Sequence, residues 1–146
     1  MCSNKYACAQ VNNRNTVMHQ LLEKEHQQLI DLLDALDSCI SKGGSVNEAH
    51  KYLCDFVALA EEHFSDEEEI METYKYPEMI NHKNEHADLL EKLFVLKNKL
   101  DSGQAPFGRG YMQILRNWLE VHLFDADKRL EKFLYQVNAN SNKTAS

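Results

Sequence analysis

A chain of 146 residues, 43% hydrophobic and 27% charged, with five glycines and two prolines, is long enough to bury one core and too apolar to stay disordered. Its formal net charge of −7, without any stripe of Lys and Arg, excludes nucleic acid and anionic membrane surfaces as expected partners. No segment has the apolar run of a secretion signal or a bilayer span, and the four cysteines show no CxxC pair or zinc-like spacing, so reduced thiols in a soluble cytoplasmic protein are expected.

Residues 1–16 read as a polar leader carrying Cys2 and Cys8. Helical periodicity follows in four segments, cut by "SKGGS" at 41–45, "YP" at 76–77 and "DSGQAPFGRG" at 101–110. The expected helices are A, Val17–Ser41; B, Val46–Thr73; C, Pro77–Asp101; and D, Gly108–Val137. The tail 138–146 is expected to fray. Strand-like alternation is missing, and short connections favour antiparallel neighbours. The predicted architecture is therefore all-α, an up-down-up-down antiparallel four-helix bundle over residues 17–137.

Each helix carries an apolar stripe at steps of three and four, interrupted by polar residues. Helix A reads Leu22, His26, Leu29, Leu33, Leu36, Ile40, and helix B reads Leu53, Phe56, Ala60, His63, Glu67, Ile70. Helix C reads Met79, His82, His86, Leu89, Leu93, Leu96, Leu100, and helix D reads Leu115, Trp118, His122, Ala126, Leu130, Phe133. Such steps hold residues on one helix face, so the interruptions point into the bundle.

Register brings them to one level. His26 stands 17 residues before Gly43 and His63 stands 19 after Gly44; His86 is 18 before Gln104 and His122 is 16 after Pro106. Burying a carboxylate and several imidazoles is costly without partners, and a metal centre supplies them. Imidazole with a few carboxylates suits first-row transition metals, and the donor set exceeds the four ligands of a structural zinc site. Two metal ions are expected, with iron the redox-active candidate.

The motifs "HxxL" at His26–Leu29, "HFxxEExxM" at His63–Met71, "YP" followed by "HxxxH" at Tyr76–His86, and "WLxxHxxxxD" at Trp118–Asp127 resemble the hemerythrin family, specifically its single-domain bacterial members. The resemblance covers about residues 17–136, with motifs in family order. It implies two iron ions joined by a bridging hydroxide or oxo group. One ion would be held by His63, His82 and His86, the other by His26 and His122, with Glu67 and Asp127 bridging both. The ion with two histidines would keep an open position where dioxygen binds. Helix geometry favours a different acid: residues five apart are separated by roughly 140° around an ideal helix, so His122 shares a face better with Asp125 than with Asp127.

Other residues read as supporting or neutral. Asp66, Glu61, Glu62, Glu68 and Glu69 look like a solvated face. His19 and His50 lie too far along their helices to reach the site level, and Phe64 and Trp118 are placed to wall it. Two family features differ: Leu89 stands where an aromatic is usual, which would widen the pocket, and Glu23 stands where an Asp is usual three residues before His26.

The expected function is reversible dioxygen binding for storage, delivery or sensing, by a chain slightly favoured to be monomeric. Azide, peroxide and nitric oxide are further possible small ligands. The rival reading is a di-iron enzyme that reduces peroxide or nitric oxide, or oxidises ferrous iron. Two carboxylates among five histidines favour the carrier, because carboxylate-rich bundles with Glu-x-x-His pairs stabilise oxidised iron better.

Overall fold

Gly43, with φ at 70°, closes the first helix in the left-handed region that glycine adopts freely, and Gly44 follows where a Cβ would lie 2.6 Å from Cys39 Sγ. Ser45 then accepts a hydrogen bond from the Glu48 N–H at 3.1 Å and starts the second helix. This turn folds α1 (Val11–Ser41) back on α2 (Val46–Thr73). A second turn, with Lys75 at φ 54°, leads into α3 (Met79–Asp101). The fourth rod is a run of three pieces: α4 (Arg109–Val121), a single π turn (His122–Ala126) and α5 (Asp127–Thr144).

The computed structural model describes residues 11–102 and 109–144, and among these no strand occurs. The architecture is the expected antiparallel four-helix bundle. Cys2, Cys8 and the expected helix start at Gly108 lie outside the described residues. α1 begins ahead of the expected Val17, because no glycine or proline between Val11 and Thr16 interrupts it. α3 begins at Met79 and not at Pro77, since the first helical bond of that segment runs from the His82 N–H to the Glu78 carbonyl. α5 continues past Val137 to Thr144 for the same reason as α1: the expected fraying segment has no helix breaker before its end. No helix among the described residues is long and apolar enough to cross a membrane.

A polar layer divides the core in two. Toward one end Leu29, Leu33, Leu53, Phe56, Leu93 and Leu119 belong to the larger apolar cluster. Toward the other, Met18, Leu22, Ile70, Met71, Leu130 and Leu134 form a smaller one. Between them every helix passes through buried polar residues: Glu25 on α1, His63, Asp66 and Glu67 on α2, His82 and His86 on α3, and His122 and Asp127 on the fourth rod. The fourth stripe differs from the expected one. Leu119, Leu123 and Leu134 are buried, while Trp118 and Phe133 only pack against the clusters; beyond the π turn the extra residue shifts the buried face from Phe133 to Leu134.

Candidate metal centre

The five histidines and Glu67 singled out from their spacing converge with Asp127, the acid that the resemblance implied. Donor atoms of Glu67, His82, His86, His122 and Asp127 lie within 4.8 Å of one another, and so do those of His26, His63, Glu67 and Asp127. Glu67 and His63 are fully buried, and only His26 retains modest exposure, 16% of its side chain.

Asp127, not Asp125, reaches this layer. Asp127 is buried, whereas the Asp125 side chain is 65% exposed and pairs with Arg129 at 3.3 Å. The ideal-helix expectation fails because His122–Ala126 form a π turn, in which the Asp127 N–H bonds to the His122 carbonyl five residues back. That widening turns residues five apart onto one face.

The two carboxylates each divide their oxygens between two halves of the layer. Glu67 Oε1 lies 2.7 Å from His63 Nε2 and 3.5 Å from His26 Nε2, while its Oε2 lies 2.9 Å from His82 Nε2 and 3.2 Å from His86 Nε2. Asp127 Oδ2 faces His26 at 3.0 Å and His63 at 4.0 Å; its Oδ1 faces His82 at 3.1 Å and His122 at 3.2 Å. The halves are therefore His26 with His63, and His82 and His86 with His122. This corrects the expected grouping, which exchanged His63 and His122. Spacing along the helices gives height but not position around the bundle: His63 meets α1, with ring centroids of His26 and His63 4.6 Å apart, and His122 meets α3, 4.9 Å from both His82 and His86.

Three carboxylates aim the histidines, and the sequence reading found none of them in that role. His63 Nδ1–H donates to Glu25 at 2.6 Å, His122 Nδ1–H to Glu85 at 2.7 Å, and His86 Nδ1–H to Glu68 at 3.3 Å. Such bonds fix the tautomer and turn Nε2 inward. Glu68 and the buried Asp66, which hydrogen-bonds Glu25, correct the reading of that acid run as a uniformly solvated face. Glu23 does not take the orienting place expected of it; Glu25 does, two positions later. The available signal was Glu25's place next to His26, one residue off the apolar stripe. Glu25→Gln or Glu85→Gln is expected to weaken metal binding roughly 10–100-fold, as chelator competition would measure; unchanged affinity in both would contradict an orienting role.

The donor set fits metal ions on geometry alone. With Nδ1 of His86 and His122 turned to Glu68 and Glu85, their Nε2 atoms converge in the layer, 3.2 Å apart and each 3.2 Å from a shared carboxylate. His63 Nε2 and both Asp127 oxygens are buried and, despite their near neighbours, make no well-formed hydrogen bond. Buried polar atoms that point at a common centre and not at one another are satisfied by a cation there.

Without metal, protons take over part of that role. Burial opposes charging His26, but the carboxylates of Asp127 and Glu67 facing it outweigh burial and raise it to about 9; His82 rises to about 9 by the same balance. Burial likewise pushes Glu67 and Asp127 up, and the surrounding imidazoles more than reverse this, holding both carboxyls well below their usual range. Histidines raised above their ordinary 6.5 contribute stability that is full below that value and lost as pH climbs through about 9. The metal-free chain is thus expected to lose urea resistance between pH 7 and about 9.5; a flat or rising profile would contradict the ion-paired arrangement.

Aromatic rings close the layer. Phe64 stacks on His86 with centroids 3.9 Å apart, and Trp118 stacks on His122 at 4.9 Å. Leu89 is fully buried in the larger apolar cluster and is not among the residues lining the cavity that reaches His26. His50 lies away from the layer, paired with Asp101 at 2.7 Å. A cavity of about 340 Å³ reaches His26, Glu67 and Asp127 from the surface between α1 and α5, past Leu22 and Leu130. It opens on the half with two histidines.

A four-helix bundle crossed by five buried or nearly buried histidines and two shared carboxylates defines a histidine-rich metal-binding bundle. The family model described as "Hemerythrin HHE cation binding domain" matches residues 17–134. The chain is 30% identical over 111 residues to a myohemerythrin of Theromyzon tessulatum, covering 76% of this chain and 81% of that one. It is 26% identical over 91 residues to a bacteriohemerythrin of Ralstonia nicotianae, covering 62% and 66% respectively. A solved crystal structure of a leucine-to-phenylalanine mutant superimposes with a TM-score of 0.72 at 24% identity, covering 77% of this chain and 86% of that chain, which supports the bundle fold. The chain belongs to the hemerythrin family, a family of non-haem iron, oxygen-binding proteins.

Proposed function

We propose that this chain is a di-iron protein that binds dioxygen reversibly in the cytoplasm. His82, His86 and His122 would hold one ion and His26 and His63 the other, with Glu67 and Asp127 shared. The observation that carries this reading is the gathering of the Nε2 atoms of five histidines, those of His86 and His122 3.2 Å apart, around two carboxylates whose oxygens divide between the halves. When bound, the iron pair supplies the electrons that dioxygen accepts on binding and gives back on release.

The chain's own residues govern what reaches that pair. Two histidines and two carboxylates leave the His26–His63 half with fewer protein donors than the other, and the cavity meets the layer on this side. A small neutral molecule fits between Leu22 and Leu130, whose apolar side chains wall the approach to the layer. Phe64 and Trp118 cover the three-histidine half and exclude water there. Glu25, Glu68 and Glu85 hold Nδ1 protons in place, so Nε2 of their histidines stays available as a donor.

Anaerobic ferrous protein mixed with dioxygen is expected to develop a stable charge-transfer band that disappears under argon and returns on re-exposure. Steady consumption of peroxide or nitric oxide with a reductant, without a stable band, would overturn the carrier reading in favour of the enzyme.

A further inference from the structure

The outer end of the cavity carries ligand chemistry that the buried centre does not use. On α1, His19, Glu23 and His26 stand at steps of four and three; on α5, Asp127 and Glu131 are four apart. These steps keep each set on one face, with a rise of roughly 6 Å per four residues and roughly 10 Å from His19 to His26. Both faces line the same cavity. Its mouth holds the exposed His19 and Glu23 with the half-buried Glu131, and donor atoms of these three lie within 4.8 Å of one another, His19 Nδ1 pairing with Glu131. Its floor holds Asp127, 5% exposed, with neither oxygen in a hydrogen bond. The walls between are Met18, Leu22, Leu130 and Leu134, which offer a cation nothing to bind. Two rows of nitrogen and oxygen donors thus descend from solvent to the buried layer, one on each facing helix.

We propose that His19, Glu23 and Glu131 form a capture site for ferrous iron at the mouth of this cavity, from which the ion passes inward to His26, Glu67 and Asp127. The inference rests on reading the buried layer as an iron centre. One imidazole and two carboxylates, open to water, suit brief binding of a first-row divalent ion, and two acids at a narrow apolar opening concentrate cations there. The deeper set has more donors and less solvent, so transfer runs inward. No change of oxidation state is involved.

The test follows anaerobic loading of metal-free full-length chain with ferrous ammonium sulfate, using a chromophoric ferrous chelator to report iron not yet taken up. The Glu23→Gln/Glu131→Gln double variant is expected to load about tenfold more slowly than wild type and to reach the same final iron content. Glu91→Gln/Glu120→Gln makes the same change of charge at exposed residues that do not line the cavity, and is expected to load like wild type. On iron-loaded protein, Mn²⁺ titration followed by electron paramagnetic resonance is expected to find a further weak site in wild type that the first double variant lacks. Equal loading rates in wild type and the mouth variant, or equal slowing in both double variants, would overturn the capture site while leaving the buried centre intact. A wild-type chain that takes up no iron would overturn both.

Discussion

Asp127→Asn is expected to strip the protein of most of its iron, whereas Asp125→Asn leaves the iron content unchanged. Asp127 touches both halves of the layer, Oδ2 facing His26 and Oδ1 facing His82 and His122. An amide at that position keeps the shape but removes one negative charge from a site meant to neutralise two cations, and presents an N–H₂ group that cannot ligate. Losing an orienting partner alone costs roughly 10–100-fold in metal affinity, so losing a shared ligand is expected to cost at least the upper end of that range. Asp125, two residues earlier, faces solvent and Arg129. Elemental analysis of both purified variants checks the pair. Iron retained in Asp127→Asn and lost in Asp125→Asn would mean that the π turn does not direct the fourth rod as described.

The second large effect concerns the metal-free chain. Glu67 is fully buried among His26, His63, His82 and His86, and the raised histidines make it the counter-charge for buried imidazolium near pH 7. Glu67→Gln leaves that charge with one carboxylate fewer. Breaking a buried pair from one side costs about 3–5 kcal/mol, which urea denaturation of metal-free protein would read directly. Because the penalty depends on protonated histidine, it is expected to shrink as pH rises past about 9. A penalty independent of pH would point to lost packing instead of lost charge compensation.

How much of this was legible in the sequence follows from what periodicity encodes. Steps of three and four identify a helix face, so the bundle and the inward aim of His26, His63, Glu67, His82, His86 and His122 could be read directly. Counting residues from the turns gave their common height. Neither operation says which helix stands nearest to which across the bundle, so neither could check the grouping carried over from the resemblance, which set His63 with the α3 histidines and His122 with His26. Asp127 was legible only as a conflict between motif and ideal geometry, because a π turn leaves no mark in an apolar pattern beyond a spacing that does not fit. Glu25, Glu68 and Glu85 escaped for a different reason: charged residues flanking the stripe look the same whether they reach solvent or bend back onto a neighbouring imidazole. That choice is made by the three-dimensional position of His63, His86 and His122.

The comparison with the family and the geometry meet at one quantity, the number of metal ions that seven donors hold in two halves. Iron determined against protein concentration after anaerobic reconstitution and removal of loosely bound metal tests it most directly. The two-half arrangement, with Glu67 and Asp127 each serving both sides, predicts roughly two iron ions per chain. One ion or fewer per correctly folded chain would contradict it.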